Sequence, residues 1–305
     1  MPVVSVIIPL YREGEHLASS IQSIIGVLVS LGERFELVLV DDGSPDNTWN
    51  EIMRLRSANP EITAIRLSRN FGKESALAAG LDAARGQAVV VMDGDLQHPP
   101  SLLPEMLRLW RQGVEVVEAV KRSRGTESFV SRTRARLFYG VFTRLTGVDL
   151  RGASDYKLMD RRVVSAWQSL GEKNLFFRGM NAWLGFKREQ IPFDVGDRAE
   201  GKSGWSVLQL VRLALTAVTS FSSAPLYLIM AMGMIFLGVA FVIGVQTIYV
   251  KITGMAVDGF TTVILLLLLV GGVLSFGLGL VGVYIARIYD EVKGRPRYII
   301  AEQTE

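Results

Sequence analysis

The stretch Ala88-Val89-Val90-Val91-Met92-Asp93-Gly94-Asp95-Leu96-Gln97 decides the reading of this chain. Its first half is an apolar run of the kind that forms a strand buried on both faces of a parallel sheet. Its second half is an acidic turn. Residues two apart on an extended chain point the same way, so Asp93 and Asp95 can aim two carboxylates at one spot just beyond the strand. Gly94 removes a side chain between them and lets a ligand approach the backbone. With the Gln97 carbonyl the set is all oxygen and suits Mg2+ or Mn2+. A divalent ion there can hold a diphosphate and neutralise the charge that develops as it leaves. Taken alone, an Asp-x-Asp is more often a polar loop after a strand, so the rest of the chain has to support the site. An EF-hand is excluded, because His98 stands where that loop needs glycine and Pro99 follows.

Outward from this stretch, residues 3–8, 35–40, 62–67 and 114–120 are apolar runs of strand length. Between them, residues 13–31, 46–58 and 72–85 read as helices. Asp46 or Asn47 caps the second, and Pro99-Pro100 starts a further helix after the acidic turn. This alternation predicts an α/β, Rossmann-like, mostly parallel and doubly wound sheet. Such sheets bind ligands at the carboxyl ends of their strands. Those ends are Tyr11-Arg12-Glu13 (after Pro9), Asp41-Asp42, Ser68-Arg69-Asn70 and Asp93-Gly94-Asp95, all polar.

The chain has 305 residues, a net charge of +3 and no cysteine. So small a charge does not suggest nucleic acid, and thiolate chemistry is excluded. The first residues read as a strand, not a signal peptide. Residues 213–250 and 259–286 contain no charged residue, and each exceeds the roughly 20 residues that cross a bilayer. The spans are expected at 223–250 and 259–286, followed by a tail at 287–305. Lys and Arg are sparse in the connector 251–258 and frequent in the tail, which places both termini in the cytoplasm. Two amphipathic stretches precede the spans. Residues 128–146 carry Arg132, Arg134, Arg136 and Arg144 beside an apolar side, and fit either a membrane interface or a solvated face on their own domain. Residues 204–222 lead into the first span and are expected to be interfacial. Gly277-Leu278-Gly279-Leu280-Val281-Gly282 matches a dinucleotide-binding pattern, but it follows no strand and has no acidic partner, so it is rejected as a nucleotide site. Gly271, Ser275 and Gly279 recur every four residues and suit close helix packing, which offers a route to a homo-oligomer.

Several stretches together resemble a known family. They are Pro9–Glu13, Val40–Asp46, Ser68–Lys73, Asp93–Pro100, Ser154-Asp155-Tyr156-Lys157-Leu158-Met159, and Arg198 with Gly201-Lys202-Ser203. In this order they resemble the inverting, GT-A-fold family 2 glycosyltransferases, specifically the membrane-anchored polyprenyl-phosphate group. That group includes dolichol-phosphate mannose synthases and GtrB-type undecaprenyl-phosphate glucosyltransferases. The resemblance implies a GT-A domain over residues 1–203 and transfer of a hexose, glucose first, from a UDP-sugar to undecaprenyl phosphate. The location implied is the cytoplasmic face of a bacterial inner membrane. The donor site would comprise Pro9, Tyr11, Glu13, Asp41, Asp42, Arg69, Lys73, Asp93, Gly94 and Gln97, with Arg69 or Lys73 closing over the base. Asp93, Asp95 and Gln97 would hold Mg2+ or Mn2+, and Asp95 and Asp155 would be catalytic. Arg122, Arg132, Arg198, Lys202 and Ser203 would meet phosphates of donor or lipid. Asp155 stands in Gly-Ala-Ser-Asp where GtrB-type chains more often have Gly-Asp-Phe. A different sugar, such as GlcNAc or mannose from GDP-mannose, remains an alternative, as does a non-catalytic assembly or lipid-handling protein that keeps the fold.

Overall fold

The computed structural model describes residues 2–95, 98–121, 143–144, 154–172, 177–193, 224–253 and 259–304. They form two compact units, Met1–Trp205 with Arg295–Glu305, and Ser206–Gly294. In the first unit the described strands are β1 (Val4–Leu10), β2 (Phe35–Asp41), β3 (Ile62–Leu67), β4 (Ala88–Val91), β5 (Val116–Lys121), β6 (Lys157–Asp160), β7 (Arg188–Phe193) and β8 (Ile300–Gln303). Its helices are α1 (Leu17–Ser30), α2 (Thr48–Ala58), α3 (Lys73–Ala83), α4 (Leu103–Arg111), α5 (Arg161–Ser169) and α6 (Phe177–Trp183).

The strands join one sheet in the order β7-β5-β6-β4-β1-β2-β3-β8. β4, β1, β2 and β3 run parallel, β5 and β7 run parallel to each other, and β6 and β8 are antiparallel to their neighbours. β1 and β4 are buried along their whole length, as strands covered on both faces must be. Val4, Val6, Ile8 and Leu10 of β1 pack with the buried faces of α1, α2 and α4 in one core. The apolar spacing of α1 buries Leu17, Ile21, Ile24 and Leu28 on that side. α3 contacts β1 and β2, and α5 contacts α3 and β4. This is the doubly wound α/β arrangement that the alternation predicts.

Three strands lie beyond that expectation. β6 inserts antiparallel between β4 and β5, with Val91 opposite Lys157. Its Lys157 is buried against Glu118 of β5 at 3.1 Å. β7 forms one edge. β8, from the segment expected to be only a tail, covers the other edge and removes the open ladder that β3 would otherwise present. Thr304 just beyond it is bound twice to Ala64: its hydroxyl oxygen accepts from the Ala64 N–H at 2.9 Å, and its own N–H donates to the Ala64 carbonyl.

The second unit holds α7 (Ala224–Ile252) and α8 (Phe260–Val292). Both contain windows long and apolar enough to cross a bilayer, Ile229–Gln246 and Leu269–Val292. α8 runs six residues past the expected end of the span at Ala286. The Gly277–Gly282 pattern is helical inside α8. A Cβ on Gly277 would meet Ile229 of α7 at 3.2 Å, whereas one on Gly271 or Gly279 would meet nothing within 4 Å. The contact glycine between these two helices is therefore Gly277, not the four-residue repeat.

Thr304→Val leaves the buried Ala64 N–H without its acceptor and should destabilise the first unit by about 1–3 kcal/mol. Glu302→Gln breaks only an exposed pair with Arg66 and should stay within about 1 kcal/mol of the wild type. Thermal unfolding of the two detergent-solubilised variants checks this contrast.

Candidate active site

The parallel ladders bring the ends of β1, β2 and β4 and the loop after β3 to one end of the sheet. There they line a cavity of about 340 Å3. β1 contributes Pro9 and Leu10 and continues into Tyr11 and Glu13, and Asp42 follows β2. Asn70 and Gly72 come from the loop before α3, Lys73 opens that helix, and Asp93 and Asp95 follow β4.

The backbone here is shaped for close approach. Gly43 has φ +65°, and a Cβ on it would meet the Arg69 backbone at 2.4–2.8 Å, so the loops after β2 and β3 lie against each other only with glycine there. A Cβ on Gly94 would meet Glu13 Oε2 at 2.6 Å, which explains how Glu13 nests against the Asp93-Gly94-Asp95 turn. Arg12 takes the left-handed region with φ 59°, a conformation that costs a non-glycine residue energy. Its N–H is fixed by Ser44 Oγ at 3.0 Å. The Glu13 N–H is fixed by Thr48 Oγ1 at 3.0 Å.

The carboxylates divide into those that build the loops and those that face the cavity. Asp41 is fully buried: it accepts from the Ser44 N–H at 3.0 Å and lies 3.5 Å from Arg66. Burial raises its pKa. It sits behind the cavity wall and is not among the lining residues. Asp42 lines the cavity, and its two oxygens accept from the Phe71 and Gly72 N–H groups at 2.7 and 2.9 Å, tying the β3 loop down. Burial also raises the Asp42 carboxyl, against those two bonds. Asp46 accepts from the N–H and hydroxyl of Thr48, the first residue of α2, and Asn47 holds the N-cap position, so of the two candidate caps the side-chain bond comes from Asp46.

Glu13, Asp93 and Asp95 share the cavity. Burial, and then the charges of Asp95 and Asp93, push the Glu13 pKa up to about 7. The cation set among them is Lys73. Its Nζ reaches Asp93 Oδ1 at 2.5 Å and Asp155 Oδ2 at 3.2 Å. Burial works against the Lys73 charge, but the two carboxylates hold its pKa above the ordinary value. The Arg69 guanidinium lies 4.2 Å from the Phe71 ring and does not line the cavity.

β6 explains how Asp155 arrives. Val91 pairs with Lys157, and the same antiparallel register carried two residues further sets Asp93 across from Asp155. His98 is 6% exposed, and its Nδ1 accepts from the Asp93 N–H at 3.2 Å. Its ring stacks on Tyr156 with centroids 5.0 Å apart. Tyr156 enters the sequence analysis only as part of a motif, and His98 only as the residue that breaks an EF-hand pattern. The one local signal was the pair of prolines after His98.

Among the described residues no group of three or more His, Cys, Asp or Glu is arranged to hold a metal by itself. Asp93 and Asp95 offer two carboxylates to a cation, so a bound ligand would have to supply further oxygens. Gln97, Arg122, Arg132, Arg198, Lys202 and Ser203 lie outside the described residues, as do the stretch 204–222 and nearly all of 128–146.

The sheet, with its acid-lined cavity at the strand ends, defines a GT-A architecture. Residues 5–167 match the sequence model described as glycosyl transferase family 2, and the chain belongs to that family. It is accordingly a glycosyltransferase. It is 37% identical to an "uncharacterized glycosyltransferase" of Bacillus subtilis, YkcC, over 97% of this chain and 92% of that one. It is 33% identical to the bactoprenol glucosyl transferase of Shigella phage SfV over 99% of each chain. It is also 33% identical to the prophage bactoprenol glucosyl transferase homolog of Escherichia coli, over 97% and 98%. Among solved structures, a mannosyltransferase from Pyrobaculum calidifontis, in complex with GDP-Man and Mn2+, superposes with a TM-score of 0.50 at 21% identity. That match covers 72% of this chain and 63% of that one, and it shows a shared fold.

The raised Glu13 pKa gives a pH test in the metal-free protein. A carboxyl whose folded pKa lies above its unfolded value adds stability that is full below the unfolded pKa, about 4.5, and is lost as pH rises through about 7. Glu13→Gln cannot ionise. Its drop in melting temperature from about pH 5 to about pH 8 in EDTA should be smaller than that of the wild type.

Proposed function

We propose that this glycosyltransferase moves a hexose, glucose first, from a UDP-sugar to undecaprenyl phosphate at the cytoplasmic face of a bacterial inner membrane. The observation that carries the reading is the joining, in one chain, of an acid-lined strand-end cavity with two helices of bilayer length. Relatives named for glucosyl transfer involving bactoprenol align with almost the whole chain, which supports a polyprenyl phosphate as acceptor. The return of the chain as β8 to the sheet that begins with β1 supports a topology with both termini on one side of the membrane.

The donor lies in the cavity, with its nucleoside toward Tyr11 and Asp42 and its diphosphate toward Asp93 and Asp95. The residues fit a divalent ion, because Asp93 and Asp95 bring two carboxylates beside a buried Glu13 whose pKa is raised by burial and then by their charges, and Asp93 and Asp95 would hold the ion with oxygens of the donor. Mg2+ or Mn2+, when bound, stabilises the charge on departing UDP. Asp155 faces the acceptor. The lipid phosphate is already an anion, so its oxygen attacks the anomeric carbon with little need of a base while the bond to UDP breaks. Catalysis then rests on positioning and on charge stabilisation. A single displacement of this kind converts an α-linked donor into a β-linked sugar phosphate. The basic residues Arg122, Arg132, Arg198 and Lys202, with the hydroxyl of Ser203, are assigned to phosphates of donor or lipid.

Purified protein given undecaprenyl phosphate and a panel of UDP-glucose, UDP-GlcNAc and GDP-mannose should form lipid-linked glucose. Asp95→Asn should lose at least about 100-fold in rate and still fold. Transfer should stop in EDTA and return with Mg2+ or Mn2+. Full activity in EDTA would remove the metal from the scheme. NMR coupling constants of the product should report a β linkage, and an α-linked product would exclude the single displacement. A periplasm-dependent reporter fused after Glu305 should be silent, and a strong signal there would overturn the topology.

A further inference from the structure

We infer that His98 and Tyr156 are positioning residues that lock the donor-side carboxylate Asp93 to the acceptor-side carboxylate Asp155. The inference rests on the donor and acceptor sides proposed above. Neither ring lines the cavity. His98 Nδ1 accepts from the Asp93 N–H at 3.2 Å, so the turn that carries Asp93 is held from behind. The imidazole stacks on Tyr156, the residue after Asp155, at 5.0 Å and 25°. The Tyr156 hydroxyl donates back to the Pro99 carbonyl at 3.1 Å, which closes a ring of contacts between the two loops. Tyr156 is fully buried, and Phe193 of β7 meets the His98 ring edge-on at 6.3 Å.

In front of this ring Lys73 touches both carboxylates. Asp93 and Asp155 are thus spanned from the cavity side by an ammonium that a ligand can displace, and from the core side by a stack that it cannot reach. When Lys73 turns to an incoming anion, the stack is what keeps the carboxylates opposed. Its task is to hold the donor carbon and the acceptor phosphate in line. A misplacement of about 1 Å can cost about 100-fold in rate.

The test measures donor KM, kcat for lipid transfer, and the ratio of transfer to donor hydrolysis by water, in the full-length protein with UDP-glucose and undecaprenyl phosphate. His98→Phe keeps a ring for the stack and removes the acceptor. It should lower transfer kcat by about tenfold or more, leave donor KM within about twofold and shift the ratio toward hydrolysis. His98→Asn offers an amide oxygen to the Asp93 N–H and should recover part of the loss. Tyr156→Phe removes only the hydroxyl and should move the ratio in the same direction by less. An unchanged ratio in both His98→Phe and Tyr156→Phe, or equal losses of transfer and hydrolysis tracking lost thermal stability, would overturn the inference alone. A wild-type protein that hydrolyses the donor but transfers nothing to lipid phosphate would overturn the acceptor reading, and this inference with it.

Discussion

Glu13 and Asp93 emerge a few residues beyond β1 and β4, and those strands are locked in parallel register with Ile7 opposite Val91. The ladder is buried on both faces, so the carboxylates that follow cannot relax into water by drifting apart. Asp95 joins them across the Gly94 turn, where a Cβ would press on the Glu13 carboxylate and the Leu10 side chain. The result is negative charge concentrated at one end of a rigid sheet, where burial and then the neighbouring carboxylates raise the Glu13 pKa and the Lys73 ammonium sits between Asp93 and Asp155. A site under that constraint gains most from a ligand that brings positive charge with it. This is the electrostatic reason why the site suits a divalent ion.

The elements around this constraint were legible because their signals are local. Buried parallel strands read as unbroken apolar runs, and α1 reads through its periodicity. The Asp93-Gly94-Asp95 turn could be picked out because it terminates such a run. β6 was not legible. It has four residues, begins with Lys157 and ends with Asp160, and looks like a polar loop. Its burial depends on a carboxylate 39 residues away, Glu118, which neutralises Lys157. With β6 hidden, the path that brings Asp155 opposite Asp93 was hidden too. For the same reason the placement of Lys73 between two carboxylates was not legible; the resemblance implies only that Arg69 or Lys73 closes over the base. The roles of His98 and Tyr156 depend on a ring stack between loops 58 positions apart in sequence, which no local pattern encodes. In the apolar helices, length and composition carried the reading, but the contact glycine depends on how the two helices are rotated, and a four-residue repeat does not report that.

The edge strand β8 sets an order of events during synthesis. Ala64 and Thr304, which bond to each other, are 240 residues apart, and both long apolar helices lie between them. Until the last strand emerges, β3 presents a bare row of backbone donors and acceptors beside the loop that Asp42 ties down. Such an edge is a template for any other extended chain. The sheet is therefore sealed only after both apolar helices have left the ribosome. A chain stalled within them would carry a nearly finished catalytic sheet with one adhesive side, open to aggregation or to recognition by quality-control machinery.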